Sequence, residues 1–253
     1  MRVYPDSTIR VAHLETVELE PDGGYGVETA VLTSHGGLVT TIPLDDGALA
    51  FPKTPAPDAI TIQWLASGSS APVFTSYVEV VPRHYFELQQ LECFEGGRDG
   101  FDELPDDVLW AARQAATDVF EEAAHRSFVE RLGWTKDYGR EPVLYLEHDV
   151  RELSTAGYTM DSDSVCRRMP GTPTPQWVEY TYGARYMPAE VSRAVLVLAA
   201  YMLRPSNRPI GATGESSDAG YIHFTTAGRD GATAIPEVNA AIQQFGAGER
   251  FVW

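Results

Sequence analysis

A chain of 253 residues, 43 % hydrophobic and 22 % charged, has the composition of a folded protein and the length for two domains. Its 36 acidic against 19 basic residues give a formal net charge of −17, with lysine only at Lys53 and Lys136, which excludes a protein that grips nucleic acid through clustered cations. The longest apolar run, 194–203, is too short to span a membrane, and the opening MRVYPDSTIR lacks the apolar core of a secretory signal, so synthesis in the cytoplasm is expected.

Residues 1–81 read as β. Apolar or β-branched runs at 29–33, 38–44, 59–65 and 76–81 are separated by turn clusters such as Pro21-Asp22-Gly23-Gly24 and Asp45-Asp46-Gly47. Alternation is clear in Ile60-Thr61-Ile62-Gln63-Trp64. Strands at this spacing suggest a small sandwich, immunoglobulin-like in layout. A junction, 82–104, follows and ends in the glycine- and acid-rich stretch 95–100. The periodicity then changes: Val108, Ala112, Ala115, Val119 and Ala123 recur at three and four, predicting a helix over 105–128 with Asp118, Glu121 and Glu122 solvated. Three further strands are expected at 128–134, 143–150 and 177–182. A second helix, 188–203, places Val191, Val195, Leu198 and Met202 on one face, and a short third helix, 236–245, carries Val238, Ile242 and Phe245. Between these two helices lies a polar loop, 204–220. The expected fold class is α+β: a sandwich-like β-domain in 1–81, the junction 82–104, a helical domain with a small β element in 105–245, and a tail, 246–253.

Chemistry-bearing patterns do not emerge. None of the six histidines stands in an HExxH, HxH or Cys-His arrangement. Glu147-His148-Asp149 is the densest polar cluster, but consecutive residues of a strand point to opposite sides and make a poor metal cage. Cys93 and Cys166 belong to no CxxC pair and are expected as free thiols. There is no GxSxG elbow, no Walker loop and no GxGxxG after a strand. No catalytic residue, cofactor or metal is therefore expected.

Four segments carry a family resemblance. Ala111 to Ala124, followed by His125-Arg126-Ser127-Phe128, resembles the first long helix of the head-to-tail adaptor (head-completion connector) proteins of long-tailed bacteriophages, which ends in small-Arg-small-Phe; His125 stands where the first small residue would be. The stretch from Pro188-Ala189-Glu190-Val191 to Leu203-Arg204-Pro205 resembles the second helix of that family. Pro236-Glu237-Val238-Asn239-Ala240-Ala241-Ile242 resembles its closing motif, with Asn239 where Asp is usual. Val78-Glu79-Val80-Val81-Pro82-Arg83-His84-Tyr85-Phe86 is similar to the junction in adaptors from actinobacterial siphophages. The resemblance covers about residues 76–245.

The resemblance implies a structural virion protein rather than an enzyme, placed in the neck between capsid portal and tail. Its implied partners are the portal protein, the next neck or tail-completion protein, and further copies of itself in a ring, commonly of twelve. Double-stranded DNA would pass through the ring without specific binding, and no membrane is involved. On that reading an acidic wall repels phosphate, and Asp106, Asp107, Asp118, Glu121 and Glu122 of the first helix are the candidate channel-lining acids. Arg250, Phe251 and Trp253, behind Gly246 and Gly248, have the content of an interface anchor and are the candidate portal-docking tail. The alternative is a β-domain-bearing virion or surface binding or decoration module without enzymatic activity.

Overall fold

The computed structural model describes residues 1–22, 26–94, 100–204 and 232–247, and the backbone of two short strands at 214–217 and 220–223. The fold is mixed α+β, and the chain divides into two compact units, each assembled from two segments. One comprises Met1–His84 with Ser127–Arg185; the other comprises Tyr85–Arg126 with Tyr186–Trp253. The linear division at 81 and 105 runs differently, because the strands after Ser127 group with the N-terminal segment.

The first unit is all β. Its strands are β1 (Arg2–Val3), β2 (Thr8–Ala12), β3 (Glu18–Pro21), β4 (Val27–Ser34), β5 (Val39–Pro43), β6 (Leu49–Ala50), β7 (Asp58–Ala66) and β8 (Pro72–Val81), then β9 (Arg131–Asp137), β10 (Val143–Tyr145), β11 (Val150–Leu153), β12 (Tyr158–Ser162), β13 (Val165–Arg168) and β14 (Gln176–Tyr182). A five-stranded sheet has the order β2-β8-β7-β4-β5, and β2 alone runs parallel to its neighbour. Period-two alternation drives it: Ile60, Ile62 and Trp64 of β7 and Ser76, Val78 and Val80 of β8 point inward. Trp64 donates its Nε1–H to the buried Ser76 Oγ at 2.9 Å, which satisfies both polar groups inside an apolar layer. Val3, Leu19 and Leu49 are fully buried on the small sheet β1-β3-β6.

The later strands form two three-stranded sheets, β11-β14-β9 and β10-β13-β12. Their shared core is Leu146, Tyr158, Cys166, Val178 and Tyr180. Gly133 faces Tyr180 across the β9–β14 ladder, and a Cβ there would lie 2.6 Å from the Tyr180 ring. Beneath the sheets Asp137 accepts from Tyr158 Oη at 2.8 Å, from the Gly139 N–H at 2.7 Å and from Arg168 Nη1 at 2.7 Å. Burial raises the Asp137 pKa, but these three donors more than offset it and hold the carboxyl below its ordinary value. The expected strand 143–150 is in fact broken: Asp149 adopts φ +60, a left-handed conformation that Asp tolerates, and the chain turns between β10 and β11.

In the second unit α1 (Leu88–Glu92) precedes α2 (Asp106–Ala124), α3 (Ala189–Leu203) and, after the hairpin β15 (Gly214–Ser217) and β16 (Gly220–His223), α4 (Pro236–Phe245). Pro105 and Pro188 sit at the N-caps of α2 and α3, and Pro236 opens α4, where a missing N–H costs nothing. The buried face of α2 is not the one that the spacing of its valines predicts. Leu109, Trp110, Ala112, Arg113, Ala116, Thr117, Phe120, Glu121 and Ala124 are buried, while Val108, Ala115 and Val119 face out. Large aromatic and leucine side chains win the inner face because they remove more apolar area from water than valine. In α3 Val191, Val195 and Leu198 are buried as expected, whereas Met202 is exposed. The α2 C-cap is His125 at φ +50, and Arg126 Nη1 then donates to the Phe245 carbonyl at 3.1 Å. The Ala247 N–H closes on the Ala124 carbonyl at 2.8 Å, tying the ends of α2 and α4 together.

Candidate functional site

Two surfaces carry organised polar chemistry. The first is the outer face of α2. This helix holds the charged residues Asp106, Asp107, Arg113, Asp118, Glu121 and Glu122, so a single cation stands among five acids. That cation is turned inward: Arg113 is 1 % exposed and its guanidinium lies 4.4 Å from the Trp110 ring centroid. Asp106, Asp107, Asp118 and Glu122 are exposed. The solvent face of α2 therefore carries charge of one sign only, acidic at both ends with Val108, Ala111 and Ala115 between.

Glu121 does not belong to that face. It is 9 % exposed and accepts the Tyr85 hydroxyl at 2.8 Å, beside the Tyr85–Phe120 ring contact. Four residues past Thr117 and three before Ala124, it lies on the buried stripe and not on the exposed face with the other four acids. Arg250, Phe251 and Trp253 lie outside the described residues. Asn239, which stands where the resemblance would place Asp, has a defined role. Its Oδ1 accepts from the Thr233 N–H at 2.8 Å and from Thr233 Oγ1 at 3.0 Å, and its Nδ2 donates to the Thr233 carbonyl at 2.8 Å. An Asp here could accept but not return the third bond.

The second surface is a cleft of about 430 Å³ in the β unit, lined among others by His35, Asp58, Tyr77, Glu79, Arg131 and Trp134. Its floor is the outward side of the five-stranded sheet, where alternation leaves Thr61 of β7 and Tyr77 and Glu79 of β8. Arg10, directly across from Glu79 in the β2–β8 ladder, binds Oε2 at 2.9 Å. Arg131 grips the same carboxylate with Nε and Nη2, the latter at 2.9 Å. Burial raises the Glu79 pKa, but the two guanidiniums prevail and hold the carboxylate ionised. Asp58 Oδ1 takes the backbone N–H groups of Ala59 at 2.7 Å and His35 at 3.2 Å. The cleft's charges are thus compensated in place. Among the described residues no group of three His, Cys, Asp or Glu side chains is arranged to hold a metal ion.

No protein-family model matches the chain, and no curated protein matches it either. Sequence reasoning passed over the cleft. Strands were expected at 76–81, 128–134 and 177–182, but the contact that brings β9 beside β7 joins residues far apart in the chain. No helix among the described residues is long and apolar enough to cross a membrane.

Proposed function

We propose that this chain is a structural virion protein of a bacteriophage neck, the head-to-tail adaptor whose ring docks on the portal, extends the DNA channel and provides the platform for the next neck or tail protein. The observation that carries the reading is the acidic outer face of α2, from which the helix's one cation has been removed to the interior. Copies of such a helix arranged around a channel repel phosphate, so DNA slides without the counterion release that makes basic surfaces adhesive. The succession α2, α3, α4 with prolines at each helix start supports the same reading. Within it, the N-terminal strands form a sandwich-like domain carried by the helical connector, and the segment with Arg250, Phe251 and Trp253 is the anchor seated in the portal.

The test is to mix portal-bearing heads with the full chain and with a chain ending at Ala247, which keeps the Ala247–Ala124 hydrogen bond. Bound copies are counted after sedimentation, and ring formation on the portal is scored by electron microscopy. The full chain should bind as a ring and the shortened chain should be lost on sedimentation, because avidity multiplies each missing anchor. Failure of the full chain to bind portal-bearing heads overturns the proposal; equal retention of both chains moves the docking site away from the tail.

A further inference from the structure

The outward side of the β9–β14 pair is unusual for a sheet face in water. Trp134 and Lys136 alternate along β9, with Tyr138 just beyond, and the ladder sets Lys136 opposite Trp177 and Trp134 opposite Glu179. Trp134 is 45 % exposed, Trp177 54 % and Tyr138 65 %. Two indoles and a phenol therefore stand exposed on one strip, and an exposed aromatic strip of this kind marks a binding site.

These rings are held in position. His35 stacks on Trp134 with centroids 4.9 Å apart and planes inclined by 21°. The His35 Nε2 lies 3.0 Å from Glu179 Oε1, bracing the stack from the neighbouring strand. The Lys136 ammonium lies 5.3 Å from the Tyr138 centroid and 5.5 Å from that of Trp177, linking these two rings. A platform fixed before binding spares a ligand the entropy of ordering it. It also continues inward, since Trp134 and His35 form part of the wall of the 430 Å³ cleft, whose floor presents the hydroxyl-bearing residues Thr8, Thr33, Thr61 and Tyr77.

We propose that the strip and cleft together bind a neutral oligosaccharide. A pyranose offers a face of C–H bonds that suits the electron-rich face of an aromatic ring, and a rim of hydroxyls that suits groups able both to donate and to accept. The cleft's carboxylates are already compensated by Arg10, Arg131 and backbone N–H groups, so no charged partner is demanded. A net charge of −17 disfavours polyanions such as nucleic acid or sulfated glycans. A lipid or apolar peptide would leave the hydroxyl-bearing floor of the cleft unmatched. The inference does not depend on ring assembly, and either can fail alone.

The full-length protein is titrated with chitohexaose, maltohexaose and a galactan hexasaccharide, with heparin hexasaccharide as the anionic control. Tryptophan fluorescence and calorimetry follow binding, and mass photometry follows self-association. At least one neutral sugar should bind saturably, with a Kd of about 1 mM or tighter. Trp134→Ala and Trp177→Ala should each weaken it about tenfold, as for the loss of one aromatic contact of moderate strength. Trp177→Phe should retain part of the affinity, and Tyr145→Ala, an exposed ring on a different sheet, should change nothing. The proposal is overturned by an absence of saturable binding to all three neutral sugars, by preference for heparin, or by affinity unchanged in both Trp→Ala variants. Self-association of the wild-type protein that Trp177→Ala abolishes also overturns it, since a second copy would then be the occupant.

Discussion

Single side chains in this protein often do the opposite of what their type suggests, and Glu121 is the clearest case. A glutamate beside Glu122 and one turn past Asp118 reads as solvated, yet here it accepts the Tyr85 hydroxyl inside the helical unit. Removing that donor with Tyr85→Phe should lower stability by about 1–2 kcal/mol, read as an earlier urea midpoint with an unchanged slope. Cysteine chemistry divides the same way. Cys166 is buried, and burial, aided by Asp137 and Asp161, pushes its thiol up to about 11, whereas Cys93 is exposed. A thiol reagent at neutral pH should therefore titrate Cys93 promptly and reach Cys166 only after denaturation. Asp137 supplies the acid-sensitive element. Its folded carboxyl binds a proton less readily than the ordinary unfolded value of about 3.9, so its stabilisation is present above that value and is lost as pH falls through the folded one. Asp137→Asn should flatten that part of the acid limb of a stability–pH profile, at the cost of lower stability near neutrality.

At the scale of elements, local punctuation was readable, and so was the phase of α3 and β7, but the phase of α2 was not. Pro105, Pro188 and Pro236 locate the helix starts to within a residue, because proline fixes φ and needs no donor at the first turn. The stripe of α2 failed because valines at 108 and 119 look like core, while the inner face spends two of its positions on Arg113 and Glu121. Those buried charges are explained by partners distant in sequence or hidden in aromatic stacking, and hydropathy cannot register either. The short strands β1, β6 and β12 carry too few alternations to be read. Two substitutions probe element-level packing. Asn239→Ala removes three hydrogen bonds around Thr233 and should cost about 2 kcal/mol, with Asn239→Asp recovering only part. Gly133→Ala should loosen the β9–β14 pair, visible as faster amide exchange at Val178 and Tyr180, because the added methyl meets the Tyr180 ring.

For the whole molecule, charge was the most legible property and the partition into units the least. The surplus of acids is apparent from composition, and on α2 it becomes a surface of one sign. Full-length protein should give no shift of double-stranded DNA even at low salt. The quadruple replacement of Asp106, Asp107, Asp118 and Glu122 by Lys should create salt-sensitive retardation, since each new cation near phosphate adds counterion release. The grouping of residues after Ser127 with the first 84 could not be read locally, because it is made by pairings such as Arg131 with Glu79.

That grouping bears on biosynthesis. A ribosome delivers β1 to β8, then the whole of α2, before β9 exists, and delivers β14 before α3. Neither unit can be completed in the order in which its sequence begins: the β unit waits for Tyr182, and α2 waits for α3 and α4. Nascent chains arrested far enough past Ala124 for α2 to have left the ribosomal tunnel should thus expose Trp110 and Phe120 to holdase chaperones. Chains arrested well beyond Arg185 should already shield β9 to β14 from protease while α2 remains open to attack. Translation makes the two units by turns, and it finishes the one that starts first well before the one that it interrupts.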